Sequence, residues 1–367
     1  MHIDDNLMEN NILWLERFEF LQYNKKYKLM QLFSEDDIKR DFCSKKYQAL
    51  TFLNQDEYEK MAEEYRTNSM ANKIENYKKQ GIKLITLYSA EYPEYLKNSI
   101  NPPLCLYCLG NTQLLNTTCC AVVGTRKPSE YGKIITKSFV KELANAKVTI
   151  VSGMAVGVDT ISHETTLAES GATIAVIAGG FNHIYPASNY NLFKRMTINN
   201  LVVSESPPDT LPAIYLFPQR NRIIAGLSKA VLITEAGKKS GALHTKNYAV
   251  ESNREVFAIP GRINSPESEG TNAIIRECQS CCCTSVEQIK EFLGVNFEEN
   301  EKKPSFQLDI NEQSILNYIL SEKKSYQEIF DHTKIPAREL NTILMNMQMK
   351  GLIEKMVGNY YIALIKN

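Results

Sequence analysis

From Cys119 onward, apolar and polar positions alternate between two patterns with a regularity that bears directly on fold class. The short apolar run "CCAVVG" ends in Gly124 and leads into "YGKIITKSFVKELA", where Ile134, Ile135, Phe139, Val140 and Leu143 recur at helical spacing. The same unit returns as "VTIVSG" before "VDTISHETTLAES", "ATIAVIAGG" before "NYNLFKRM", and "LVVSE" before "FPQRNRIIAGL". It closes with "AVLITEA" before "GALHTKNYAVES" and "EVFAIPG" before "GTNAIIREC". Strands apolar on both faces belong in a mostly parallel sheet covered on each side by helices. These six predict a doubly wound, mostly parallel Rossmann-like α/β domain over about 115–290.

The flanks read differently. Residues 1–80 are rich in Leu, Tyr, Lys and Glu and contain no glycine before Gly81, a composition that predicts a small helical N-terminal domain. "GIKLITLYSAEYPEYLKNSINPPLCLYCLGN" then reads as a lead-in to the sheet, with Pro93 and Pro102-Pro103 enforcing extended or turn geometry. Beyond the core, "NFEENEKKPSF" has the composition of a linker. After it come three helical stretches, the last opened by Pro336 at the first helical position and closed by Gly351, and two short strands about a turn at Gly358-Asn359. That order predicts a C-terminal winged-helix domain. The expected domains are 1–80, 81–295 and 305–367.

Charge narrows the choice of partner. The 367 residues balance 42 Lys and Arg against 42 Asp and Glu, with 43% apolar residues, so neither a disordered chain nor a nonspecific polyanion binder is expected and any basic site must be local. The polar start "MHIDDNLMENN" lacks an apolar segment behind it, and runs such as "ATIAVIAGGF" fall short of the ~20 residues that span a bilayer. A soluble cytoplasmic protein with no membrane insertion is the expectation. Nine cysteines, an odd count without a secretory context, predict reduced thiols. Cys105 and Cys108 fall on a predicted strand whose positions i and i+3 face opposite ways, so no metal site is expected there.

In an open parallel sheet, ligands bind beyond the carboxyl ends of the strands. Small residues and cations gather at that edge: Gly124, Thr125 and Arg126 after the first strand, Ser152 and Gly153 after the second, Arg220, Asn221 and Arg222 before the fifth, and Lys238, Lys239, Ser240 and Gly241 after it. Backbone amides exposed by glycine, helix N-termini and guanidinium forks together predict a phosphate site. Other roles compete: the glycines Gly124, Gly153 and Gly180 also suit tight turns, and Arg222 also suits an ion pair with Glu205 or Glu235. His163 and His244 lie on predicted helices, where packing or exposure is the commoner fate. Phe181, Tyr185 and Phe217 are candidates for base stacking or for core. No GxGxxG, P-loop, HExxH or GxSxG occurs, so no cofactor and no catalytic group is read.

The motifs "VVGTRKPSEYG", "VSGMAVGVDTISHETTL", "TIAVIAGGFNHIYPASNYNL", "FPQRNRIIAGLSKAVLITEAGKKSGALHTKNYAVESNREVFAIPG" and "GTNAIIRE" closely resemble, in order, the DNA-processing protein A family (DprA, also called Smf). The resemblance implies a noncatalytic, dimerising protein that binds and protects single-stranded DNA and loads the RecA recombinase onto it during natural transformation. It places the family's GTR motif on Gly124, Thr125 and Arg126, the SGMA motif from Ser152 and Gly153, and the RNR motif on Arg220, Asn221 and Arg222. The chain departs from the pattern at His244, where an apolar residue is usual, in "YPASNYNL", which lacks lysines beside the Tyr-Pro pair, and in "RECQSCCCTS". Two alternatives stand beside it. One is a nucleotide phosphoribohydrolase on a related sheet, which would need the PGGxGTxxE turn where this chain has "EAGKKSGALHTKN". The other is a sequence-specific regulator acting through the winged helix, whose region from Ser305 to Asn367 carries seven Lys/Arg against seven Asp/Glu.

Overall fold

The computed structural model describes residues 12–16, 18, 20–32, 52–67, 71–295, 308–320 and 322–364. Cys43 and the linker read over 296–306 lie outside the described residues. Contacts group the chain into two units, Met1–Asn296 and Phe297–Asn367.

In the first unit, α1 (Tyr23–Leu32), α2 (Gln55–Thr67) and α3 (Ala71–Lys79) lead to β1 (Ile82–Thr86), the single turn α4 (Glu94–Lys97) and β2 (Cys105–Gly110). The alternating region follows as β3 (Cys119–Val123), α5 (Glu130–Asn145), β4 (Thr149–Ser152), α6 (Val158–Ala168), β5 (Thr173–Ile177), α7 (Tyr190–Asn199) and β6 (Leu201–Ser204). It continues through α8 (Leu216–Leu227), β7 (Ala230–Ile233), α9 (Ala242–Glu251), β8 (Glu255–Ala258), α10 (Glu269–Arg276), β9 (Cys281–Cys282) and α11 (Val286–Leu293). Each of the six strands read from the apolar runs is present.

The sheet order is β1-β2-β6-β5-β4-β3-β7-β8-β9. From β6 to β9 every pairing is parallel, whereas β1 and β2 run antiparallel, with Ile85 opposite Leu106 and Cys108 opposite Val203. The lead-in segment is therefore an edge of the same sheet. Pro93, Pro102 and Pro103 fall between its two strands, where no ladder donor is missed. Along β3, Cys119, Ala121 and Val123 enter one buried cluster and Cys120 and Val122 another, so both faces are covered. The first cluster also takes Ile12, Leu15, Phe18, Leu29 and Met61, so apolar side chains of the first eighty residues share a core with Ile223 and Leu227 of α8.

The second unit holds α12 (Ile310–Ile319), β10 (Lys324–Ser325), α13 (Tyr326–Thr333), α14 (Ala337–Met349), β11 (Ile353–Met356) and β12 (Tyr360–Ala363), with strand order β10-β12-β11. Three helices and a small antiparallel sheet make it a winged helix. Capping boxes at Asp309 and Ser325 open α12 and α13. Pro336 occupies the N-cap of α14, one position earlier than expected, and Ala337 is the first helical residue. Among the described residues, no helix is long and apolar enough to cross a membrane.

One buried histidine ties α6 to the sheet. His163 is fully buried, with Nδ1 2.8 Å from Thr173 Oγ1, and that hydroxyl donates in turn to the Ile150 carbonyl at 2.8 Å. The ring proton therefore sits on Nδ1, and Nε2 has no hydrogen-bond partner. Burial, aided by the charge of Arg220, pushes the imidazole down to about 3. The unfolded chain protonates this ring near 6.5, so between the two values protons favour the unfolded state and stability falls as pH drops. Denaturant titrations from pH 7 to pH 4 should show a loss on the order of 3 kcal/mol from this residue. In His163→Gln that part of the pH slope should vanish.

Candidate functional site

The strand order reverses at β3, with β4 on one side and β7 on the other. Such a switch point parts the loops that leave two adjacent strands and opens a crevice at their carboxyl ends. Here the crevice is an open cleft of about 740 Å³ bounded by the turn after β3, the turn after β7 and the first half of α8.

The turn after β3 is fixed to the end of β7 by Glu235, which is 1% exposed. Its backbone carbonyl accepts from Thr125 N at 2.8 Å, and its carboxylate accepts from Ser129 N at 2.8 Å and Ser129 Oγ at 2.5 Å. Ser129 is the N-cap of α5. From the other side, Val158 N donates to the Thr125 carbonyl at 3.2 Å. Gly157, the N-cap of α6 at φ 86°, allows this approach, because a Cβ there would lie 2.5 Å from that same carbonyl. Held between these contacts, Arg126 and Lys127 are exposed on the cleft wall.

Arg220 forms the floor. It is 7% exposed, and its Nη1 donates to the carbonyls of Gly153 and Val176, just beyond β4 and near the end of β5. Its Nε donates to Asn221 Oδ1 at 3.2 Å, and Asn221 Nδ2 reaches the Gly241 carbonyl at 3.4 Å. Asp159, which also lines the cleft, accepts from Ala155 N at 3.2 Å. Burial pushes the Asp159 carboxyl up, against the pull of Arg220, and burial lowers Arg220 to about 10, offset in part by Asp159. Arg220 thus stays cationic at neutral pH, but its charge is balanced from within. Gly153 is required beneath it, since a Cβ there would meet the guanidinium at 2.6 Å.

Gly124, Thr125, Arg126, Arg220, Asn221, Lys238, Lys239, Ser240 and Gly241 come together around the cleft. Ser152, Gly153 and Arg222 do not line it. Ser152 Oγ is turned inward to the Val122 carbonyl at 2.7 Å, and Gly153 lies under Arg220. Arg222 pairs with Glu205 at 2.5 Å, the ion pair that competed with a ligand role at this position. Of the aromatic candidates, Phe181 is buried against Phe193, whereas Tyr185, 55% exposed, meets Phe217 edge to face at 5.5 Å on the cleft wall. The Arg126 guanidinium lies 5.6 Å from the Phe217 ring centre. His244 is exposed and lines the cleft. Lys127 and Asp159 were not singled out from the sequence. Lys127 is adjacent to Arg126, and Asp159 stands in the first turn of α6, which points at the sheet edge. Among the described residues, none of Arg126, Lys127, Lys238 and Lys239 has a carboxylate within ion-pair distance.

This geometry offers anion recognition by cations without a carboxylate partner on two turns, beside an exposed Tyr185 and a half-buried Phe217. The family model for DNA recombination-mediator protein A matches residues 83–294. DNA processing protein DprA of Bacillus subtilis (strain 168) is 42% identical over 202 residues, covering 55% of this chain and 68% of that protein. Protein Smf of Escherichia coli (strain K12) is 35% identical over 286 residues, 76% of each chain. The X-ray structure of DprA from Streptococcus pneumoniae superposes with a TM-score of 0.68 at 30% identity, covering 78% of this chain and 98% of that one. The structure of DNA processing protein A from Helicobacter pylori, described for its single-stranded DNA binding mode, gives a TM-score of 0.51 at 34% identity over 55% of this chain and 92% of that one. Matched to the family over more than half of its length, and to the fold of a solved relative over most of that relative's chain, this chain belongs to the DNA recombination-mediator protein A family.

Proposed function

We propose that the switch-point cleft binds single-stranded DNA without cleaving it, and that the protein acts as a cytoplasmic homodimer that protects incoming strands and loads a RecA-type recombinase onto them during natural transformation. The observation that carries the reading is the pairing of free cations, Arg126, Lys127, Lys238 and Lys239, with the Tyr185–Phe217 aromatic pair along one open groove. Phosphates need the first and unstacked bases need the second. The single-stranded DNA binding described for the Helicobacter pylori relative supports it.

A phosphoribohydrolase needs a carboxylate free to act on substrate. Among the described residues lining the cleft, Asp159 is the carboxylate present, and it is held by Ala155 N beside Arg220. Glu251 closes α9 at the end remote from the cleft. Release of free base from a nucleoside monophosphate would support that enzyme instead.

Titration of a labelled oligonucleotide at several salt concentrations should give a slope of log K against log salt near −3, from about four phosphate contacts on a single strand. Arg126→Ala should weaken binding and reduce the slope by about 0.7. An unchanged affinity would remove the cleft from consideration.

Phe217→Ala should cost about 1–3 kcal/mol of binding through lost base stacking, measured in the same titration. In a strand-exchange assay with recombinase and single-strand binding protein, the wild-type chain should relieve the inhibition by the latter, and Arg126→Ala should not.

A further inference from the structure

Arg222 sits about 200° around α8 from Arg220, on the side away from the cleft. It is 7% exposed, and both of its terminal nitrogens are occupied. Nη2 reaches both Glu205 oxygens at 2.5 Å, and Nη1 donates to the Asn101 carbonyl at 2.5 Å. The Tyr23 ring of α1 lies 5.3 Å from the guanidinium carbon. Three consecutive carbonyls are each gripped by a side chain from elsewhere: Asn101 by Arg222, Pro102 by Tyr23 Oη at 2.7 Å, and Pro103 by Tyr92 Oη at 2.6 Å.

What this fixes is the start of α8. Tyr215, the N-cap, makes no side-chain capping bond, and the turn that carries Phe217 is entered through a backbone bond from Leu216 N to the Ala213 carbonyl at 3.0 Å. The connector into that turn begins at Glu205, covers the loop after β5 through Gly180 N to the Thr210 carbonyl at 2.8 Å and Asn182 N to the Pro208 carbonyl at 3.0 Å, and reaches the cleft at Ile214. Its root is therefore held by Arg222 and its far end by the helix itself. The Glu205 carboxylate on Nη2, with the Asn101 carbonyl taking Nη1, also repels a phosphate.

We propose that Arg222 is a positioning residue and not a phosphate ligand: with Glu205, Asn101 and Tyr23 it clamps the root of the 205–215 connector to α8, and so makes the N-terminal segment part of the support of the cleft. This rests on the reading of the cleft as a single-stranded DNA site. The clamp itself is a claim about the protein alone.

The test uses the full chain with Arg222→Met, Arg222→Lys and Tyr23→Leu, the last leaving the ion pair in place in case the first does not fold. Hydrogen exchange reads the clamp without DNA: amides of 206–218 should exchange roughly tenfold faster in each variant, with β7 and β8 unaffected. Lysine keeps the charge but not the fork, so Arg222→Lys should resemble Arg222→Met. With DNA, each should bind several-fold more weakly at an unchanged salt slope, in contrast to Arg126→Ala. Wild-type exchange in all three variants would overturn the clamp, as would restoration by lysine. A slope reduced by about 0.7 in Arg222→Met would return Arg222 to the phosphate ligands. If the wild-type chain bound no single strand, the reading of the cleft would fall while the exchange data still decided the clamp.

Discussion

Arg220 bonds to carbonyls where two adjacent parallel strands end, and removing it would leave those of Gly153 and Val176 unpaired at the edge of the core. A buried guanidinium is tolerated there because carbonyls take its donors and Asp159 stands beside it. From that placement follow the glycine at 153 and the carboxylate at 159, and its charge adds to the burial that depresses the His163 ring. The same bonds hold α8 against the sheet, and α8 carries Phe217 to the cleft wall. The floor is thus a structural ion system that a ligand meets already assembled.

On the proposed reading, recognition is left to the rim. The unpaired cations sit on the turns after β3 and β7, and these turns are bound to each other by the backbone and side chain of Glu235. Tying one turn to the other across the switch point keeps Arg126 over Phe217 while leaving its donors open to solvent.

The alternation of apolar runs and helical periods was enough to read six strands and the parallel sheet, because strands buried on both faces leave a period-free apolar signature. β1 was harder: Lys83 interrupts it and prolines follow, so it read as a connection although its pairing partner, β2, read as a strand. The short edge strand at Cys281–Cys282 is too brief to leave any period. The glycines and cations after the strands marked the edge at which the cleft opens. Their roles did not follow from spacing. Arg220 and Arg222 look equivalent in "RNR", and only the positions of Val176, Gly153, Glu205 and Asn101, all distant in sequence, distinguish a floor from a clamp. Asp159 was overlooked because a carboxylate at the first turn of a helix is ordinary by itself.

The cleft's internal neutrality has a consequence for redesign. Because the floor cation is balanced inside the fold while Arg126, Lys127, Lys238 and Lys239 stand on exposed turns with no carboxylate partner among the described residues, up to four charges can be removed or inverted there without stranding a buried ion. The charge of the rim can therefore be changed at little cost to the scaffold. A change of the same size at 205, 220 or 222 would strand a buried partner and cost stability unless a second substitution matched it.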